Sequence, residues 1–156
     1  MSMITVLLTA AGVVLLAAGP VMVAQGLLGR HNVTRELTHQ KIAFPPGGLP
    51  APLARYADAP VRTGIQARAY SDLIAGHVAK ATGGRTYAEI AQECMTAGRD
   101  DERLERLRQT AFMGQTLRGA LLGAYQAWQV TALVIGLGAL VALVGLVFLA
   151  LAAHLG

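Results

Sequence analysis

"WQVTALVIGLGALVALVGLVFLALAAHLG", residues 128–156, carries no Lys, Arg, Asp or Glu, and Leu, Val and Ala dominate it. Crossing a bilayer core takes about 20 consecutive apolar residues at ~1.5 Å each, so this run is long enough. A helix that is apolar all round is either a membrane span or the centre of a large core, and a soluble core helix this long would be rare. Trp128 and Tyr125 stand at its entrance, and amphipathic rings of this kind favour the headgroup level.

The other end of the chain mirrors it. "MITVLLTAAGVVLLAAGPVMVAQGLLG", residues 3–29, is a second uncharged apolar run of spanning length. It lacks the basic n-region of a secretory signal, and it exceeds the roughly 7–15 residues of a signal core. The expectation is a retained helix. All Lys, Arg, Asp and Glu of the chain lie between Arg30 and Arg118. Charged residues make up 14% of the whole, well below the ~25% of ordinary soluble domains. These features predict an all-α membrane protein: a transmembrane helix over 1–29, a mainly helical polar domain over 30–127, and a second transmembrane helix over 128–155. That last helix is expected to continue upstream to about residue 101, because no proline interrupts it.

Within the first block Gly12, Gly19 and Gly26 recur every seven residues, which puts a stripe of small residues on one helical face. Such stripes let helix backbones approach closely in lipid. Gly119 and Gly123 form a GxxxG before the fully apolar part of the second block, and Ala127 extends it. These five glycines are the candidate helix-packing or partner contacts. Arg118, Tyr125 and Trp128 are the candidate interface anchors. Arg118 reads as a long side chain snorkelling to the membrane boundary; the competing reading is that it holds a lipid headgroup or a partner carboxylate.

The polar segment is punctuated by helix stops and starts. The first helix is expected to continue to about Gln40. "FPPGGLPAP", residues 44–52, then breaks any helix, since adjacent prolines force extended backbone and glycines permit turns. Residues 65–81 return to helical spacing, with Ile65, Ala69, Leu73, Ile74 and Val78 on the expected inward side. Gly83 and Gly84 stop that helix. Thr86-x-x-Glu89 is a capping box for a short helix over 87–97, with Tyr87 and Ile90 available to pack inward and Gly98 closing it. Asp100, Asp101 and Glu102 then place acids at the positive dipole end of the last helix. "RDDERLERLR" reads as a solvated, ion-paired surface.

No residue cluster makes a case for catalysis. His31, Glu36 and His39 include one Glu-x-x-His pair, but a di-iron bundle needs two such pairs and further glutamates. His77 has no triad partners nearby, and Cys94 has no basic cluster to activate it. Gly83-Gly84-Arg85-Thr86 precedes a helix, yet the lysine and the strand of a phosphate-binding P-loop are missing. Asn32-Val33-Thr34 matches a glycosylation sequon but lies too close to the apolar block to serve. The net charge of +4 comes from interleaved bases and acids, unlike the concentrated basic face of a nucleic-acid binder. No cofactor and no nucleic-acid partner are expected.

"VTRELTHQKIAFPPGGLP", "RYADAPVRTGIQARAYSDLIAGHV", "GGRTYAEI" and "TLRGALLGAY" follow one another between residues 33 and 125. In this order they resemble a family of actinobacterial two-helix membrane proteins that often carry the automatic label "aromatic ring-opening dioxygenase". The signatures are Gln40-Lys41-Ile42 with Phe44-Pro45, Gly64 with Ala67, Ala69-Tyr70, and Gly84 with Thr86-Tyr87. The resemblance implies an extracytoplasmic domain between two spans and no established activity. Ring opening needs iron on two histidines and a carboxylate, and the four histidines here form no such set. The positive-inside rule points the domain the other way, into the cytoplasm, but it weakens for loops beyond about 60 residues. The expectations are therefore a plasma-membrane protein with residues 30–127 outside. Its partners are the lipid bilayer and other membrane subunits or itself. Its function is that of a non-enzymatic accessory or assembly subunit of a larger membrane complex, with respiratory complexes among the candidates. The alternative is an extracytoplasmic sensor or carrier for a small or lipidic ligand.

Overall fold

The computed structural model describes residues 2–97 and 101–155. It is all-helical. Helix α1 spans Met3–His39, a 3-10 turn spans Ala51–Tyr56, and α2, α3 and α4 span Gly64–Thr82, Tyr87–Ala97 and Glu102–Leu155. Two long apolar helices thus flank a helical middle segment. Both are long and apolar enough to cross a membrane and are largely exposed. Gly98 and Asp100, expected at a helix end and a helix start, lie outside the described residues. The chain divides into two compact units, Met1–Val33 with Ala127–Gly156, and Thr34–Gln126.

The first unit is an antiparallel helix pair built on small residues. Thr5, Gly12, Gly19 and Gly26 are buried along α1, and Thr131, Gly138, Gly145 and Ala152 along α4, each series at seven-residue intervals. Added Cβ atoms show how close the pair is. On Gly12 a Cβ would meet Leu149 and Gly145, on Gly19 Ala142 and Gly138, on Gly26 Ile135 and Thr131. Numbers rise along one helix as they fall along the other, so the strands of the seam run opposite ways. A strict seven-residue period is the one that keeps such a seam facing its partner through a left-handed supercoil. The seam hydroxyls are satisfied locally. Thr5 Oγ1 lies 3.0 Å from Ser2 Oγ, and Thr131 Oγ1 donates to the Trp128 carbonyl at 2.7 Å. Pro20 lies inside α1 without ending it, on the exposed side.

The second unit has its own core. Phe44 is 2% exposed, stacked on Tyr56 at 5.1 Å and edge-on to Tyr70 at 5.1 Å. The Pro/Gly-rich stretch is therefore not a free strap, because its first residue is a core anchor. The neck of the loop is tied by Phe44 N–H to the Ala59 carbonyl at 3.0 Å and Val61 N–H to the Ile42 carbonyl at 2.9 Å. Lys41 (φ 52) turns the chain out of α1 in the left-handed region. A capping box starts α2: Gln66 N–H donates to Thr63 Oγ1 at 3.3 Å, and Thr63 N–H to Gln66 Oε1 at 3.1 Å.

The inward face of α2 differs from the expected one. Ile65 is 56% exposed, while Ala67, Ala69, Ser71, Leu73 and Thr82 are buried. Gly64 is buried too. Ala69 and Leu73 face inward as expected, and Val78 packs against Gly114 of α4, where a Cβ would collide with its side chain; Ile65 is the position that departs. Tyr87, expected to turn inward, is 37% exposed, with its ring tilted against Phe112 at 5.8 Å. Ile90 is fully buried.

Candidate functional site

The corner between α2 and α3 explains itself without a ligand. Gly83 (φ 64) and Gly84 (φ 80) both take left-handed backbone. Nothing lies within 4 Å of a Cβ on either, so backbone conformation, and not crowding, calls for glycine there. Gly84 N–H reaches back to the Ala79 carbonyl at 2.8 Å, closing a Schellman-type stop. Thr86 N–H donates to the Glu89 carboxylate at 2.6 Å, and Glu89 N–H to Thr86 Oγ1 at 3.3 Å. These bonds hold the Glu89 carboxyl below its ordinary pKa, the Thr86 backbone donor contributing most and its hydroxyl next. Arg85 bridges onward to Glu93 at 2.6 Å.

The start of α4 is equally self-contained. Asp101 Oδ1 accepts from Arg103 N–H and Leu104 N–H, both at 3.0 Å. Arg106 pairs with Glu102 at 3.0 Å and Arg108 with Glu105 at 2.5 Å. The Glu105 hydrogen bond and charge raise the Arg108 pKa. All four side chains are substantially exposed, where such pairs contribute little to stability.

The candidate metal and nucleophile residues stay apart. His31, Glu36, His39 and His77 are exposed, and Glu36 accepts from the Gln40 side-chain amide at 3.2 Å. Cys94 is a free, half-buried thiol. Among the described residues no three His, Cys, Asp or Glu side chains converge on a metal-sized space.

The glycines sort into two kinds. Gly12, Gly19 and Gly26 lie in the seam of the first unit. Gly119 and Gly123 have nothing within 4 Å of a Cβ. Phe112 shares their side of α4 and is 55% exposed; Met113 and Leu117, 55% and 51% exposed, lie further round the helix.

Of the three expected anchors, Trp128 sits under the Arg30 guanidinium, 4.6 Å from its ring centroid, and the Arg30 Nε is buried without a hydrogen-bond partner. Tyr125 and Arg118 fall on the inward row of α4, with Ala111, Gly114 and Leu121. Arg118 is half-buried; its Nη1 donates to Gln115 Oε1 at 3.2 Å, and its Nε is buried with no partner. A snorkelling arginine is expected to point its head into water; this one is drawn into the fold. Arg68 on α2 lies 5.6 Å from the Tyr125 ring centroid and 3.5 Å from Asp72. Arg68, Asp72, Arg118, Leu122, Tyr125 and Gln126 line one recess of about 290 Å³.

Comparison of the chain with protein-family models, curated proteins and solved structures gives no match.

Sequence reasoning missed Arg68, Phe44 and the α4 half of the seam. The signal for the seam was visible: Thr131, Gly138, Gly145 and Ala152 repeat at seven, in step with the glycines of α1. Arg118 shares its seven-residue row with Ala111 and Tyr125, which marks it as inward-facing. Arg68 gave no local signal.

Proposed function

We propose that this chain is a two-span integral-membrane protein of the plasma membrane, acting as a non-enzymatic accessory or assembly subunit of a larger membrane complex. The observation that carries the reading is the open face of α4. Gly119 and Gly123 meet nothing, and Phe112, on the same side of the helix, is exposed. Small residues beside a large apolar one are a surface that a helix of another chain fits. The outward sides of the helix pair, with Val6, Val13, Leu133, Leu140 and Leu146 exposed, suit lipid. Kinship with the actinobacterial two-helix proteins it resembles belongs to the same proposal.

Purification in a gentle detergent followed by mass spectrometry tests it. A stoichiometric integral-membrane partner is the expected result; a strictly monomeric protein with no such partner counts against it. The polar domain is placed outside the cytoplasm. A phosphatase reporter fused after Gly98 should be active, and an inactive phosphatase with a fluorescent cytoplasmic reporter at the same site would reverse the orientation. The sensor or carrier reading calls for an apolar pocket. The recess between α3 and α4 has Leu104 and Leu107 in its wall and Arg85, Glu93, Asp101 and Arg103 around them; a copurifying ligand there would favour that second reading.

A further inference from the structure

We infer that the recess between α2 and α4 is a binding site for a phosphate group, with Arg118 as its principal donor and Arg68 as its second. The inference goes beyond the subunit reading and does not depend on it.

Four observations converge. Arg118 is a permanent cation on the inward row of α4, and no carboxylate among the described residues pairs with it. Its Nη1 donates to the neutral Gln115 side chain. Its Nε is buried and has no partner. A buried guanidinium N–H without an acceptor costs stability unless something supplies one. The recess beside it has room for a phosphate, and Arg68 lines the opposite wall. Two guanidiniums face one carboxylate, Asp72, so the recess keeps a net positive charge. Asp72 sits 3.5 Å from Arg68, and both side chains are about half exposed; it therefore holds Arg68 loosely.

The chemistry of the walls selects among anions. Planar guanidinium forks match the oxygens of a phosphate, with bonds about twice as strong as neutral ones. Leu122 adds an apolar side, and Tyr125 and Gln126 add polar rims. A phosphodiester carrying an organic tail fits such a lining better than a small inorganic ion. The shared chemistry is a phosphate; its source is a lipid headgroup or free phosphate.

The test uses the full-length protein, delipidated in a non-ionic detergent. One arm adds short-chain phosphatidylglycerol and the other adds inorganic phosphate. Bound ligand is counted by native mass spectrometry and by the shift in thermal unfolding. Binding of about one phosphatidylglycerol per chain is expected; saturable binding of inorganic phosphate alone would keep the site and assign it to free phosphate. Arg118→Gln should weaken binding roughly tenfold or more, and Arg118→Lys by less, because lysine keeps the charge but loses the fork. Arg68→Gln alters a half-exposed side chain and carries the test if the Arg118 variants do not fold; it should weaken binding several-fold. Arg106→Gln removes the same charge from an exposed position on α4 and should change nothing. Asp72→Asn discriminates most sharply. If Asp72 only stabilises the fold, its loss leaves phosphate binding unchanged; if it competes for Arg68, binding tightens several-fold. The inference is overturned if neither phosphate compound binds, or if Arg118→Gln, or Arg68→Gln in its place, binds as the parent chain does.

Discussion

Gly19 sits in a tight layer of the α1–α4 seam, hemmed in by backbone, and replacing it should separate the helices. A Cβ there would stand 2.6 Å from the Gly138 carbonyl oxygen, 2.6 Å from the Ala142 Cβ and 2.7 Å from the Ala142 amide nitrogen. Two of these neighbours are backbone atoms of a helix, and neither can rotate away. Ordinary contact begins near 3.4 Å, so the gap must open by about 0.8 Å at this layer. A gap of 0.5–1 Å forfeits roughly a quarter to a half of each dispersion contact it affects. Overpacking of this kind costs about 1–3 kcal/mol. Alanine regains up to about 1 kcal/mol through its better helix propensity. Gly19→Ala should therefore lose about 1 kcal/mol net, and Gly19→Ile about 3 kcal/mol. The isoleucine loss is more than a hundredfold in the ratio of packed to separated helices, at ~1.4 kcal/mol per decade.

The assay is a titration with sodium dodecyl sulfate in mixed micelles. Far-UV circular dichroism will hardly change, because each helix survives alone in detergent. Trp128 is the useful probe, since the Arg30 guanidinium covers its ring at 4.6 Å and leaves when the pair opens. Gly19→Ile should reach its Trp128 transition at a lower dodecyl sulfate fraction than Gly19→Ala, and both below the parent chain. An unchanged transition for Gly19→Ile would refute the reasoning. Gly119→Ala is the control. It meets nothing, so propensity alone acts, and the expected change is neutral or slightly stabilising.

Phe44→Ala should cost about 3–5 kcal/mol, the usual penalty for deleting a buried phenyl ring, and should raise amide hydrogen exchange across residues 42–61, where Tyr56 and Tyr70 lose their shared neighbour. The α3 cap should depend on acid. Because the Glu89 pKa is lowered from its ordinary 4.5, the cap contributes fully above that value and is lost as pH falls through the lowered folded value. Thr86 amide exchange followed by NMR should accelerate over that range, and Glu89→Gln should flatten the profile. Gly119→Ile should leave dodecyl sulfate resistance of the isolated chain nearly intact yet abolish recovery of a membrane partner; equal recovery would remove the open face from consideration as the contact.

Much of the architecture could be read from one-dimensional signals. The two apolar runs and the charge-free termini announce the long helices, and the Gly83-Gly84 stop with the Thr86–Glu89 box marks the corner between α2 and α3. Each rests on neighbouring residues, so local chemistry suffices to see it. On α2, Ala69 and Leu73 were read correctly and Ile65 was not. Hydrophobic spacing favoured Ile65, but the buried positions near it are Gly64, Ala67 and Ser71, whose small side chains give no hydrophobic signal. Phe44 was hidden among prolines and glycines, which mark irregular backbone and say nothing about burial. The recess at Arg118 joins residues on two helices fifty positions apart, and only folding brings Arg68 to it.

The glycines of α4 carry one further step. Each glycine in a helix interior costs up to about 1 kcal/mol relative to alanine. At Gly138 and Gly145 that cost is offset, because α1 packs where a side chain would stand: the Gly19 carbonyl oxygen lies 2.8 Å from a Cβ at Gly138, and the Leu16 amide nitrogen 2.6 Å from one at Gly145. Gly119 and Gly123 receive no such return from this chain. Water offers none either, since it solvates alanine as readily as glycine. A second helix crossing at that face would restore the balance, and Phe112, on the same side of α4, would supply an apolar flank. The argument makes a distinction that can be measured: alanine at Gly138 should weaken the isolated chain, whereas alanine at Gly119 should weaken only the assembly.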